Sequence, residues 1–232
     1  MTLDDIVADL RRHPERARHA ETGIWVASVL RERIAAGQLA PGSKLSEEAL
    51  GEALGVSRNT LREAFSALAA ERIVIRIPNR GVYVARPSAE DIREIYRVRR
   101  YLEPAALLWS PATDFTPLRR AVERATAARD AGSAAGMADA NQAFHAAIVA
   151  LGGSDRLDLL MTQVLAEMRL VFHSMVADTA FHAPYVEDNV RIVELLEAGE
   201  RAEAAALLTG YLRRAEDQLL AVIAEESGVR RS

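Results

Sequence analysis

Arg58 and Arg62 stand four residues apart in the stretch SRNTLREAFSALAAER. The chemistry open to such a pair is recognition of anions and of nucleobase edges, because a guanidinium presents a planar fork of N–H donors that fits phosphate oxygens or the O6 and N7 of guanine. Residues i and i+4 of a helix share a face. Leu61, Phe65 and Leu68 fall at i, i+4 and i+7, so the spacing predicts a helix over 57–72 with its apolar stripe turned inward and both guanidiniums turned outward. Ser57 is placed to cap the first turn, and Glu71 and Arg72 close the last. Two cations near a helix N-terminus oppose the macrodipole, a penalty that an anionic partner removes. From Ser57 to Arg86 six arginines (58, 62, 72, 76, 80, 86) face only Glu63 and Glu71, whereas the whole 232-residue chain has a formal net charge of −4. The basic excess is local, and the acid surplus lies elsewhere.

The elements that must present these arginines are legible on either side. Ile24, Val26, Ala27, Leu30 and Ile34 mark a helix over 23–36, ended by Gly37 and the Pro41-Gly42 turn. A second helix begins at Ser46 and ends at Gly55, half of a capping box being present in SEEA. Two short helices joined by a tight glycine turn form a helix-turn-helix, whose second helix enters the major groove. Two apolar runs, Ile73 to Ile77 and Gly81 to Val84, then flank Pro78-Asn79-Arg80-Gly81 and predict a hairpin with basic residues at its tip.

Residues 22–86 resemble the winged helix-turn-helix of the GntR family of bacterial transcriptional regulators, chiefly through LAPGSKLSEEALGEALGVSRNTLREAFSAL. That resemblance assigns DNA contact to Ser57, Arg58, Asn59, Thr60 and Arg62 on the recognition helix, to Lys44, and to Arg80 and Gly81 at a wing tip that reaches the minor groove. The sequence departs from the pattern at Asn59-Thr60, where many relatives carry Thr-Pro, and at Glu48, where many carry a phosphate-binding arginine.

Pro87-Ser88 marks a boundary, after which 3.6-residue periodicity predicts helices over 88–110, 116–132, 134–151, 154–178, 184–198 and 200–225. The separators are Ser110-Pro111, Gly132, Gly152-Gly153, the FHAP stretch and Gly199, and they make a helical bundle. Three segments, IYRVRRYLEPAAL, NQAFHAAIVALGGSDRL and NVRIVELLEAGERAEAAALLTGYL, resemble the FCD ligand-binding domain of the FadR branch of the GntR family. The expected fold is therefore mainly α: a 1–21 extension, a winged helix-turn-helix with a small β-hairpin wing over 22–86, and an all-helical effector and dimerisation domain over 87–232.

Most FCD domains hold a divalent metal, and the motif carries over to Asn141, His145, Asn189 and Tyr211. Carboxamides are poor replacements for imidazole, and a phenol must lose a proton near pKa 10 to ligate well. Asn141 and His145 remain as weak candidates, and no metal or other cofactor is expected. His173, four residues after Arg169, and His182, placed in a loop near Pro184, add no strong ligand set. The alternative is a metal-free pocket for a small organic acid, for which Arg99, Asn141, His145, Arg169, His173, Asn189 and Tyr211 supply cations, amides and a hydroxyl. Each has a plainer reading: Arg99 as the i+4 partner of Glu103, Arg169 as the partner of Glu167 or of a residue across the bundle, Tyr211 as a space filler.

The resulting expectation is a homodimeric DNA-binding regulator, a repressor acting on a pseudo-palindromic double-stranded operator and modulated by a small-molecule effector. An effector-independent regulator with a vestigial pocket and a metal-responsive regulator with a degenerate site stay open beside it. No nucleophile–base pair, phosphate-binding glycine loop or complete metal set points to an enzyme. The absence of cysteine removes thiol chemistry and disulfides and fits a reducing compartment. No apolar run reaches the length of a membrane span, and the N-terminus carries acids in place of a signal sequence, so a cytoplasmic location with no membrane partner is expected.

Overall fold

A computed structural model describes residues 22–172 and 179–229. The chain divides between Arg86 and Pro87 into two compact units. The 1–21 extension and His173 lie outside the described residues.

In the first unit, α1 (Thr22–Ala35), α2 (Glu47–Leu54) and α3 (Arg58–Ala70) are followed by the wing. Ser46 caps α2 by accepting the Ala49 amide, and Gly55, at φ 67, ends it in the left-handed conformation that a Cβ disfavours. The chain therefore turns at once into Ser57, which caps α3 by accepting the Thr60 amide. Leu61, Ala64, Phe65 and Leu68 of α3 are buried, with α1 packed on that helix through a stripe that includes Val26, Ala27 and Leu30. Each large apolar side chain so enclosed stabilises the unit by about 1.5–3 kcal/mol. A two-pronged bridge from Arg31, with Nε at 2.7 Å and Nη2 at 2.5 Å from the Glu71 carboxylate oxygens, fixes α1 to the end of α3.

The wing has three strands rather than the two of a simple hairpin. β1 (Lys44–Leu45), β2 (Val74–Ile77) and β3 (Gly81–Val84) are antiparallel in the order β1-β3-β2, with Tyr83 opposite both Lys44 and Ile75. A two-residue strand has no alternation to read, which is why β1 leaves no mark in the sequence pattern.

The second unit is all helix among the described residues: α4 (Ala89–Trp109), α5 (Thr116–Asp130), α6 (Ala134–Ala150), α7 (Asp155–Phe172), α8 (Thr179–Glu197) and α9 (Arg201–Val229). Ser88 and Asp91 form a reciprocal capping box at the start of α4. The expected separator FHAP is not one. Phe181, His182 and Pro184 lie inside α8, and Phe181, His182, Tyr185 and Val186 are buried. The burial of that stripe overrides the helix-breaking tendency of Pro184, which lies in the second turn and forfeits a single amide donor. His182 is thus a core residue, its ring 5.0 Å from Phe181 and 5.8 Å from Phe172.

Candidate nucleic-acid interface and the interior of the helical bundle

The outer face of α3 is built as the heptad-like stripe requires. Arg58, Asn59 and Arg62 are exposed, opposite the buried Leu61, Phe65 and Leu68. Ser57 and Thr60 are occupied at the helix start, where the Ser57 hydroxyl accepts the Thr60 amide at 3.1 Å and lies 2.9 Å from the Thr60 hydroxyl. The Arg62 side chain, 63% exposed, keeps its Nε 3.5 Å from the Glu47 carboxylate at the head of α2.

At the wing tip the turn is closed by the Arg80 amide donating to the Ile77 carbonyl at 3.0 Å, with Asn79 at φ 59 and Gly81 at φ 113. The Tyr83 hydroxyl donates to the Arg80 carbonyl and holds the tip. A Cβ on Gly81 would stand 3.3 Å from Cε of Lys44, so Lys44, Arg80 and Gly81 are brought together at one end of the sheet. Arg76, which the sequence showed only as one charge among six, proves to reach α3: its Nη2 donates to the Arg62 carbonyl at 2.8 Å and to the Ser66 hydroxyl at 3.1 Å.

In the bundle, the positions that the FCD motif picks out do converge, but on one another. The His145 Nε2 is 3.0 Å from the Tyr211 hydroxyl, which donates to Oδ1 of Asn141 at 2.9 Å, and Nδ2 of Asn189 donates to the same oxygen at 2.8 Å. The other ring nitrogen of His145 donates to Glu103 at 2.6 Å, and Nε of Arg99 donates to that carboxylate at 2.6 Å. Arg99, Glu103, His145, Asn189 and Tyr211 are each no more than 2% exposed. α4, α6, α8 and α9 are thereby joined through a single polar chain.

Burial would raise Glu103, but Arg99 and then His145 outweigh it and hold the carboxyl below its usual range. Burial lowers His145 despite the opposing pull of Glu103. Burial also lifts the Tyr211 phenol far above its ordinary value. These groups do not fit the divalent metal that the FCD resemblance implies: both imidazole nitrogens are engaged, the phenol stays protonated, and the other two members are neutral carboxamides. Among the described residues no three His, Cys, Asp or Glu side chains group as metal ligands.

Two buried polar atoms in this region lack a hydrogen-bond partner, Nη2 of Arg99 and Oδ1 of Asn189. Arg169 is not brought to the network; its Nη1 donates to Asp139 at 2.9 Å at a half-exposed position. Glu103 is the residue that sequence reasoning treated only as a partner of Arg99. Its i+4 spacing showed that pair, but nothing local could show His145 from another helix on its second oxygen.

Residues 25–84 match the bacterial regulatory proteins of the gntR family, and residues 94–214 match the FCD domain. The chain belongs to the GntR family, with an FCD domain behind its winged helix. A GntR-family crystal structure from Rhodococcus sp. RHA1 is 40% identical and superposes with a TM-score of 0.81, covering 86% of this chain and 97% of that one. The transcriptional regulator LutR of Bacillus subtilis is 30% identical over 79% of this chain and 94% of its own length. The gluconate operon transcriptional repressor of Bacillus licheniformis is 41% identical over 92 residues, and the match spans only 37% of that protein. Membership in this family places the chain among regulators and not among enzymes. No described helix is long and apolar enough to cross a membrane.

Proposed function

We propose that the chain is a homodimeric repressor that binds a pseudo-palindromic operator in the cytoplasm and responds to a small organic acid in its helical domain. The observation that carries the DNA-binding part is the outward display of Arg58, Asn59 and Arg62 along α3, beside a wing whose tip gathers Lys44 and Arg80. A two-fold dimer sets its two recognition helices about 34 Å apart, one DNA turn. The name of the gluconate operon relative supports repression as the output.

An apolar face supports the dimer. Tyr101, Leu108 and Trp109 on α4 are exposed, as are Leu159 and Leu160 on α7. The Ser110 hydroxyl donates to the Leu151 carbonyl at 2.5 Å, which ties the end of α4 to the end of α6, just ahead of α7. Exposed aromatic and aliphatic side chains on adjacent helices are what an interface core requires.

For the effector, Nη2 of Arg99 supports an acid, because a ligand carboxylate would satisfy a guanidinium donor that lies buried without a partner among the described residues. A second reading, effector-independent regulation, draws on the rest of the network, in which His145, Tyr211 and Asn141 already satisfy one another. Both readings work without metal. A thermal-shift screen of the full chain against monocarboxylates, dicarboxylates, sugar acids and divalent metals separates them. The acid reading expects at least one acid to raise the melting temperature in wild type and not in Arg99→Ala; a flat screen leaves effector-independent regulation, and a stoichiometric metal-induced rise overturns the metal-free interior.

A further inference from the structure

A winged helix that lays α3 in the major groove and its hairpin tip in the neighbouring minor groove must let a phosphate backbone pass between the two. Arg76 stands at that passage. β2 carries it on the strand face shared with buried Val74, the face that meets α3, yet the residue itself is exposed. Its Nη2 is spent on α3, clasping the Arg62 carbonyl together with the Ser66 hydroxyl, which donates to the same carbonyl at 2.7 Å. Among the described residues no acceptor meets its Nε or Nη1, and no carboxylate pairs with it. The Glu47 carboxylate is 3.5 Å from Nε of its neighbour Arg62. An exposed guanidinium that is anchored on its neighbours through Nη2 alone keeps an unspent charge that an anion can pair with.

We propose that Arg76 is a DNA-contacting residue that grips a backbone phosphate between the grooves while positioning the recognition helix against the wing. The fork divides the two tasks. Nη2 sets the register of α3 through the Arg62 carbonyl, and Nη1 is the donor left to meet the phosphate. Because the same guanidinium holds both, seating the phosphate also locks the spacing between Arg62 in one groove and Arg80 in the other. This rests on the DNA-binding reading above and adds a contact that sequence resemblance does not assign.

The test uses the full chain and a duplex that the wild type enriches from a random-sequence pool, with dissociation constants measured across a salt series. Arg76→Gln should weaken binding about eight-fold near 0.1 M salt and lower the slope of log K against log salt by about one, the signature of one lost phosphate contact. Arg76→Lys should recover the slope but not the full affinity, since one ammonium cannot serve the carbonyl, the hydroxyl and a phosphate together. Ser66→Ala should keep the slope and lose affinity alone. A wild-type slope in Arg76→Gln, with any loss confined to melting temperature, would show Arg76 to be only a structural strut and would overturn the proposal. Should Arg76→Gln not fold, the lysine and Ser66 variants decide, because a slope reduced in Arg76→Lys or a wild-type affinity in Ser66→Ala also contradicts it. Failure of the wild type to enrich any duplex would be a different result, one that removes the DNA-binding reading itself.

Discussion

Nε2 of His145 lies 3.0 Å from the Tyr211 hydroxyl, and that contact decides where the protons in the bundle interior sit. The ionised Glu103 can only accept, so Nδ1 of His145 must donate to it. If the Tyr211 hydroxyl donates to Asn141, Nε2 must donate as well, and the ring is a buried imidazolium. Burial opposes that charge and draws His145 below its ordinary value. The neutral ring requires the hydroxyl to turn toward Nε2 and both carboxamides to rotate, so that Asn141 offers its NH2 to Tyr211 and to Asn189. The rotation of Asn189 places its NH2, in exchange for Oδ1, on the side that has no partner.

The pH dependence of folding reports which arrangement holds. With His145 lowered in the folded state, the unfolded chain binds a proton near pH 6.5 that the folded chain refuses, so stability falls as the pH drops below about 6.5. Glu103, also lowered, adds a second loss as the pH falls below about 4.5. Urea midpoints of wild type and His145→Gln between pH 8 and pH 4 measure this, and the variant should lose the upper step and keep the lower. A wild-type midpoint that rises on acidification from pH 7 would instead mark the imidazolium.

Tyr211→Phe keeps the ring and its 4.5 Å contact with Tyr185 but removes the hydroxyl that serves both His145 and Asn141. Leaving those buried groups unsatisfied should destabilise the bundle by about 1–3 kcal/mol in denaturant titration, with helical content unchanged. An equal or higher midpoint would mean that the hydroxyl contributes nothing beyond filling space.

Glu103→Gln should be more damaging, about 3–5 kcal/mol, because Arg99 would keep its buried charge without a counter-ion. Replacing Arg99 and Glu103 together by Met and Leu should recover most of that loss. A double variant as unstable as the single one would locate the cost in His145, whose Nδ1 donor also loses Glu103, or in packing against Tyr96, over whose ring the guanidinium sits at 5.0 Å.

Arg62→Ala should cost about 1–3 kcal/mol in operator binding while the melting temperature and oligomeric state stay as in wild type. Competition with an unrelated duplex at fixed salt reads this directly, since loss of a base contact lowers discrimination. Equal discrimination in both proteins would remove Arg62 from the reading surface.

Tyr101→Ser combined with Trp109→Ser strips the largest exposed side chains from α4. Sedimentation equilibrium should show the variant shifted toward monomer with its far-ultraviolet spectrum intact. Persistence of a wild-type dimer would place the interface elsewhere.

The winged helix was legible in the sequence because its signals are local: Ser57 as a cap, Gly55 as a stop, and Leu61, Phe65 and Leu68 at helical spacing. β1 was hidden because two residues cannot show a period, and Arg76 because its partners, Arg62 and Ser66, belong to a different element. Pro184 and the adjoining histidine suggested a break, and the segment is helical because Phe181, His182 and Tyr185 are worth more buried than the single amide donor that Pro184 lacks. In the bundle the spacing of Asn141 and His145 was visible, whereas the approach of Glu103 and Tyr211 from two further helices is a property of packing.

The interlocked chain from Arg99 to Asn189 also bears on how this interior can change by mutation. Asn141→Asp, Asn189→His and Tyr211→His can each be reached by one base change, so the ligand set implied by the FCD resemblance lies three point mutations away. The route is nevertheless steep, because each of these residues holds a hydrogen bond that another member needs, and an isolated substitution strands its neighbours in the core. Such coupling works as a ratchet: a chain with the hydroxyl of Tyr211 at the centre of its bundle reaches that ligand set most readily by changing several codons together.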